Sequence, residues 1–138
     1  MPSAVDTNVL VRFLVDDGSD HAALARRVFA EEPVFVPTSV VMETEWVLRS
    51  KFGYSPTLIC DAFDRLLGFE AVLVQDADLV VDAVDALRVG LDFADALHLL
   101  AASDCDRLYT FDSDFIRRSD RMTGSVPVMR PGSSKATS

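Results

Sequence analysis

The sequence predicts an α/β domain, a three-layer αβα sandwich around a central parallel sheet of about five strands. Two observations point there. Short runs rich in Val, Phe and Leu recur along the chain, and segments with apolar residues at helical spacing lie between them. At 138 residues and 49% hydrophobic content, the chain has room for one domain with a real core.

Each element has its own local signal. Ser3-Ala4-Val5 is a first strand, and Val9 to Val15 a short helix closed by the turn cluster Asp16-Asp17-Gly18-Ser19. Asp20 is placed to cap a second helix, where Ala23, Leu24, Val28 and Phe29 recur at helical spacing up to Glu31-Glu32-Pro33. Val34-Phe35-Val36 reads as the second strand. Pro37-Thr38-Ser39 starts a helix that runs through Phe52 and stops at Gly53. Ser55-Pro56 opens the next one, whose stripe of Leu58, Ile59, Ala62, Phe63, Leu66 and Leu67 ends at Gly68. Ala71 to Val74 is a third strand. Asp76 to Val89 is helical, with Leu79, Val80, Ala83, Val84 and Leu87 facing inward and Gly90 as its stop. Asp92 to Ala102 forms a further helix before the turn at Ser103-Asp104. Arg107 to Phe111 is a fourth strand, Asp112 to Ser119 a short helix or turn, and Val126-Pro127-Val128 a terminal strand. The domain therefore spans 1–130, and 131–138 is expected to be a disordered tail.

Charge narrows the function. The formal net charge is -9, from 22 acids against 13 bases, which works against direct affinity for a nucleic-acid backbone. A polyanionic substrate would need a divalent metal to reverse the sign of an acidic pocket. Cys60 and Cys105 lack metal-type spacing and read as small core residues, and His21 and His98 are the only histidines. Oxygen ligation of Mg²⁺ or Mn²⁺ suits this inventory better than zinc. No membrane span or signal peptide is legible, so a soluble cytoplasmic protein is expected.

Several acids resist a purely structural explanation. Asp6 ends the first strand, at the rim where ligands bind in parallel α/β sheets, although it can also cap the helix that follows. Glu45 has Arg49 four residues later and reads as an ordinary surface pair. Glu43, by contrast, has Ser39, Val40, Trp46 and Val47 as its helical neighbours and no basic partner on its own helix. Within the nearly all-apolar helix from Leu91 to Ala102, Asp92 is an easy cap, whereas Asp95 lies with Leu91, Leu99 and Ala102, with a weak capping-box role as its structural alternative. Asp112 ends the fourth strand as Asp6 ends the first, and can also cap; Asp114 shares its turn. Two carboxylates about 4 Å apart repel by roughly 4 kcal/mol at an effective dielectric of 20, so gathering several of them calls for a cation.

Val5-Asp6-Thr7-Asn8-Val9-Leu10, Ser39-Val40-Val41-Met42-Glu43, Asp92-Phe93-Ala94-Asp95-Ala96-Leu97-His98 and Thr110-Phe111-Asp112-Ser113-Asp114-Phe115 together resemble a PIN-domain ribonuclease, specifically the toxin of a virulence-associated (VapBC-type) toxin–antitoxin pair. The likeness runs to about Arg130. It implies strand order 3-2-1-4-5 and an acidic site of Asp6, Glu43, Asp95 and Asp112, with Asp114 as a further contributor. One or two Mg²⁺ or Mn²⁺ ions there would activate water and stabilise charge on a phosphate. It also implies endonuclease action on RNA, a homodimer, an antitoxin that blocks the site with a basic segment, and Thr7 or Asn8 as groups that orient the ligands. Arg12, Arg117, Arg118 and Arg121 are the bases available to hold an RNA backbone.

Two rivals remain at this stage. A phosphoryl-accepting domain would want a nearby Lys, and only Lys51 and Lys135 exist. A non-catalytic module with an acidic groove for a basic peptide fits the same acids.

Overall fold

The computed structural model describes residues 1–133; of the expected tail at 131–138, residues 134–138 lie outside the described residues. The chain alternates as the sequence predicts: β1 (Ser3–Ala4), α1 (Thr7–Val15), α2 (Asp20–Glu31), β2 (Val34–Val36), α3 (Thr38–Ser50), α4 (Pro56–Leu67), β3 (Val72–Val74), α5 (Ala77–Arg88), α6 (Phe93–Ala101), β4 (Leu108–Tyr109), α7 (Ser113–Ser119) and β5 (Val128–Met129).

All strand pairs are parallel, so every return crosses over through helix and the result is the three-layer α/β sandwich expected. β2 is central to one ladder, with Ser3 opposite Val34 and Val34 opposite Val72. Its Val34 and Val36 are fully buried, while Leu73 on the edge strand β3 is 53% exposed. β4 and β5 form a second ladder, with Leu108 opposite Val128. The ladders run 3-2-1 and 4-5, and among the described residues no backbone ladder joins β1 to β4.

The core is built by the predicted stripes. Ile59, Phe63 and Leu66 of α4, Val80, Ala83 and Val84 of α5 and Phe93 and Leu97 of α6 join Val34, Val36 and Leu48 in one buried cluster. Phe63 and Phe93 meet with ring centroids 5.4 Å apart, tying α4 to α6. Phe13 stacks on Phe29 at 3.8 Å, which locks α1 onto α2.

Three local expectations change. The cap of α2 is Ser19, whose hydroxyl accepts from the Ala22 N–H at 3.2 Å; Asp20, one residue on, is already helical. Cys60 is buried as expected, but Cys105 is exposed in the turn after α6. Asp76 caps α5 without a side-chain bond, in a left-handed conformation at φ 52°, a region that Asp tolerates better than most residues. Among the described residues no helix is long and apolar enough to cross a membrane.

Candidate functional site

Three acids sit where a loop turns into a helix. Asp6 follows β1 and caps α1, its Oδ1 accepting from the Val9 N–H at 3.1 Å. Asp112 follows β4 and caps α7, its Oδ1 accepting from Asp114 at 2.9 Å and Phe115 at 3.2 Å. Asp92 caps α6 through a bond from the Asp95 N–H at 3.1 Å. The structural role foreseen for each is therefore real. It occupies one carboxylate oxygen and leaves the other without a bond among the described residues.

Glu43 projects from α3 toward α1, where the Thr7 hydroxyl donates to its carboxylate. Asp6, Thr7, Asn8, Arg12 and Glu43 line one cavity of about 730 Å³. The wet cleft that an unpaired Glu among apolar neighbours required is present. Thr7 fixes the orientation of Glu43, and Asn8 stands on the same wall. Arg12 reaches Asp17 at 3.4 Å.

Asp95 is half-buried, with its carboxylate receiving no hydrogen bond among the described residues; the reciprocal capping-box bond to Asp92 does not form. Burial pushes its carboxyl above the ordinary range, and the negative charges of Asp92 and Asp112 push it further, against weaker help from His98 and Arg118. Asp92, Asp95 and Asp112 thus share one electrostatic neighbourhood. Asp114 is set apart, because Arg117 binds it at 2.7 Å and holds its carboxyl below the usual range. That pairing also engages Arg117. Arg118 is half-buried and lines a different cavity with Glu45, Arg49 and Asp92.

Among the described residues Asp6, Glu43, Asp95 and Asp112 form no ion pair with a base. Asp6 and Glu43 line one cavity, and the negative charge of Asp112 is felt at Asp95. No three His, Cys, Asp or Glu side chains stand close enough together to hold a metal ion among the described residues. In donor chemistry the set fits a hard divalent ion: all ligands are oxygens, none is neutralised, and Asp95 carries the electrostatic stress that such an ion relieves.

Some roles were not read correctly from the sequence. Glu45 is not a surface residue; it is 2% exposed, and Arg49 donates to it at 2.9 Å from Nε and 3.4 Å from Nη2. Its neighbours Val41 and Leu48, four residues before and three after, are fully buried, and that stripe was the available signal. Arg121 is committed to the fold, donating to the Val89 carbonyl at 2.9 Å. His98 is exposed. Trp46, read only as an apolar neighbour of Glu43, is 51% exposed and lines the cavity that holds Asp6 and Glu43.

The sequence model of the PIN domain family matches residues 4–120. No curated protein and no solved structure matches the chain.

Proposed function

This chain belongs to the PIN domain family, whose members are in general metal-dependent nucleases, and from that premise we propose that it is an endoribonuclease acting as the toxin of a type II toxin–antitoxin pair. One observation carries the reading: Asp6, Glu43, Asp95 and Asp112, at two strand ends and on two helices, lack any basic partner among the described residues. Asp6 and Asp112 cap helices with one oxygen each, which does not require that all four acids stay free of counter-charge; at the rim of a parallel sheet that arrangement suits phosphoryl chemistry.

Asp6, Glu43, Asp95 and Asp112 would hold one or two Mg²⁺ or Mn²⁺ ions, with Asp114 as a further contributor once released from Arg117. When bound, the metal supplies activation of water and stabilisation of the charge that builds on the phosphate. The residues themselves orient and restrain. Thr7 holds the Glu43 carboxylate, Asn8 offers an amide to the same cleft, and Arg12 and Arg118 are bases within reach of an RNA backbone. With a net charge of -9, the cation would strengthen substrate binding as well as supply the chemistry.

The same unpaired acids suit a basic segment of an antitoxin, because a guanidinium among carboxylates makes strong charge-assisted contacts. We assign the protein to the cytoplasm and to a homodimer on the same reading. The alternative, a non-catalytic acidic groove for a basic peptide, draws on that same complementarity.

One experiment separates them. The purified chain is incubated with total RNA in Mg²⁺, in Mn²⁺ and in EDTA, beside Asp6→Asn and Asp95→Asn. The nuclease reading expects cleavage that requires metal and is lost in both folded variants. Binding of a basic peptide without cleavage under any condition overturns it in favour of the groove.

A further inference from the structure

We propose that Trp46 is a stacking platform for one unpaired base of single-stranded RNA, with Lys51 taking a neighbouring phosphate. This deepens the nuclease reading and rests on it for the identity of the ligand.

The indole is conspicuous. Trp46 is 51% exposed and Phe52 is 46% exposed, and both line the cavity that contains Asp6 and Glu43. Single exposed apolar residues are ordinary, whereas two rings on the wall of one cavity rimmed by polar groups mark a binding surface. At about 730 Å³ the cavity has room for a nucleotide.

Charge decides between a base and an apolar protein segment. Along α3 and its C-terminal turn, Glu43, Trp46 and Lys51 follow one another on the wall of that cavity, spread over about 12 Å at 1.5 Å per residue. The order acid, aromatic ring, cation repeats what a strand presents: a phosphate at the reacting centre, a base, and a further phosphate. Lys51 has no ion-pair partner among the described residues, whereas Arg12 on the same wall is shared with Asp17. An amphipathic helix would instead want an apolar wall without charge, and beside Val40 and Val47 this one carries Asp6, Arg12, Glu43 and Lys51. Stacking demands a base free of its duplex, so the platform selects single strands.

Because Trp46 is the only tryptophan in the chain, its fluorescence reports on the proposal directly. Eight-residue oligoadenylate is titrated into Asp6→Asn protein in Mg²⁺ and into the unsubstituted protein in EDTA, beside a blunt duplex of the same strand. Quenching by the single strand and none by the duplex is expected. In cleavage assays Trp46→Ala should raise KM about 5- to 150-fold, the equivalent of 1–3 kcal/mol of stacking, with kcat changed much less, and Trp46→Phe should restore most of the loss. Lys51→Ala should weaken binding and lower the salt slope by about 0.7. Cleavage of RNA that leaves the fluorescence unmoved overturns the platform and spares the nuclease; quenching without cleavage supports the platform while removing the nuclease. Fluorescence that answers a basic peptide and ignores the oligonucleotide overturns the proposal and gives the surface to a protein partner. The titration does not depend on any Trp46 variant folding.

Discussion

The Thr7 hydroxyl donates to the carboxylate of Glu43, a bond that spans 36 residues and ties the first turn of α1 to the middle of α3. It places the residue after the first acid in control of the second. Thr7→Val keeps the shape and removes the donor, so Glu43 is free to rotate away from Asp6. Cleavage should fall about 10- to 100-fold, the usual cost of losing a group that orients a ligand, with the melting temperature nearly unchanged. Thr7→Ser should retain most activity. A Thr7→Val protein that cuts RNA at the parent rate would show the bond to be incidental.

Asp95 links the site to stability. Its carboxyl lies above the ordinary range because of burial and of Asp92 and Asp112 beside it, so the folded state binds that proton more tightly than the unfolded chain does. The resulting contribution is fully present below the unfolded pKa, about 4, and is lost as pH rises through the higher folded value. In EDTA at pH ~7, Asp95→Asn should therefore melt higher than the parent, and the difference should shrink toward pH ~4. Added Mg²⁺ or Mn²⁺ should stabilise the parent and leave the variant unmoved. Melting curves with and without metal check both halves; a variant that melts lower in EDTA at neutral pH contradicts the electrostatic account.

Asp112 does two jobs that different substitutions can separate. Its Oδ1 caps α7 through the Asp114 and Phe115 amides, and its charge raises the proton affinity of Asp95. Asparagine keeps a capping oxygen and removes the charge, so Asp112→Asn should hold stability within about 0.5 kcal/mol while losing cleavage. Asp112→Ala loses both and should cost about 1 kcal/mol in urea unfolding. Equal stability of the two variants would mean that the cap contributes nothing.

What was legible in the sequence was local. Alternating strands and helices, their stops at Gly53, Gly68 and Gly90, and acids after β1 and β4 all follow from periodicity and turn chemistry within a few residues. What was not legible depends on which faces meet. Ser19 and Asp20 are both competent caps one residue apart, and only the entry angle of α2 chooses the serine. Glu45 and Arg49 have the spacing of a surface pair, and the packing of α3 among its neighbouring helices buries the first of them. Trp46 stands in the sequence only as a helical neighbour of Glu43, and it is half in water because α3 turns it toward the cleft. The sharing of one cavity by Asp6 and Glu43, 37 residues apart, and the influence of Asp112 on Asp95, 17 residues away, depend on how elements pack and not on any local pattern.

The burial of Glu45 has its own consequence. Its carboxylate is 2% exposed and takes both its side-chain hydrogen bonds from Arg49, whose guanidinium is still 46% exposed. The hydrogen bond that Arg49 donates to Glu45 holds the guanidinium above its ordinary range, with burial opposing and the charges of Glu45 and Asp92 assisting. Arg49→Met should leave a buried charge without its donor and cost about 2 kcal/mol, less than for a wholly enclosed pair because water reaches one partner. Glu45→Met alone leaves the arginine to solvent and should cost less. Converting both to methionine should recover most of the loss, since well-packed apolar replacements of a buried pair are often neutral. Urea unfolding of the two single variants and the double variant gives the coupling between them. A coupling of zero would mean that Glu45 finds another partner when Arg49 is gone, and the pair would then be a consequence of the packing of α3 among its neighbouring helices rather than a support for it.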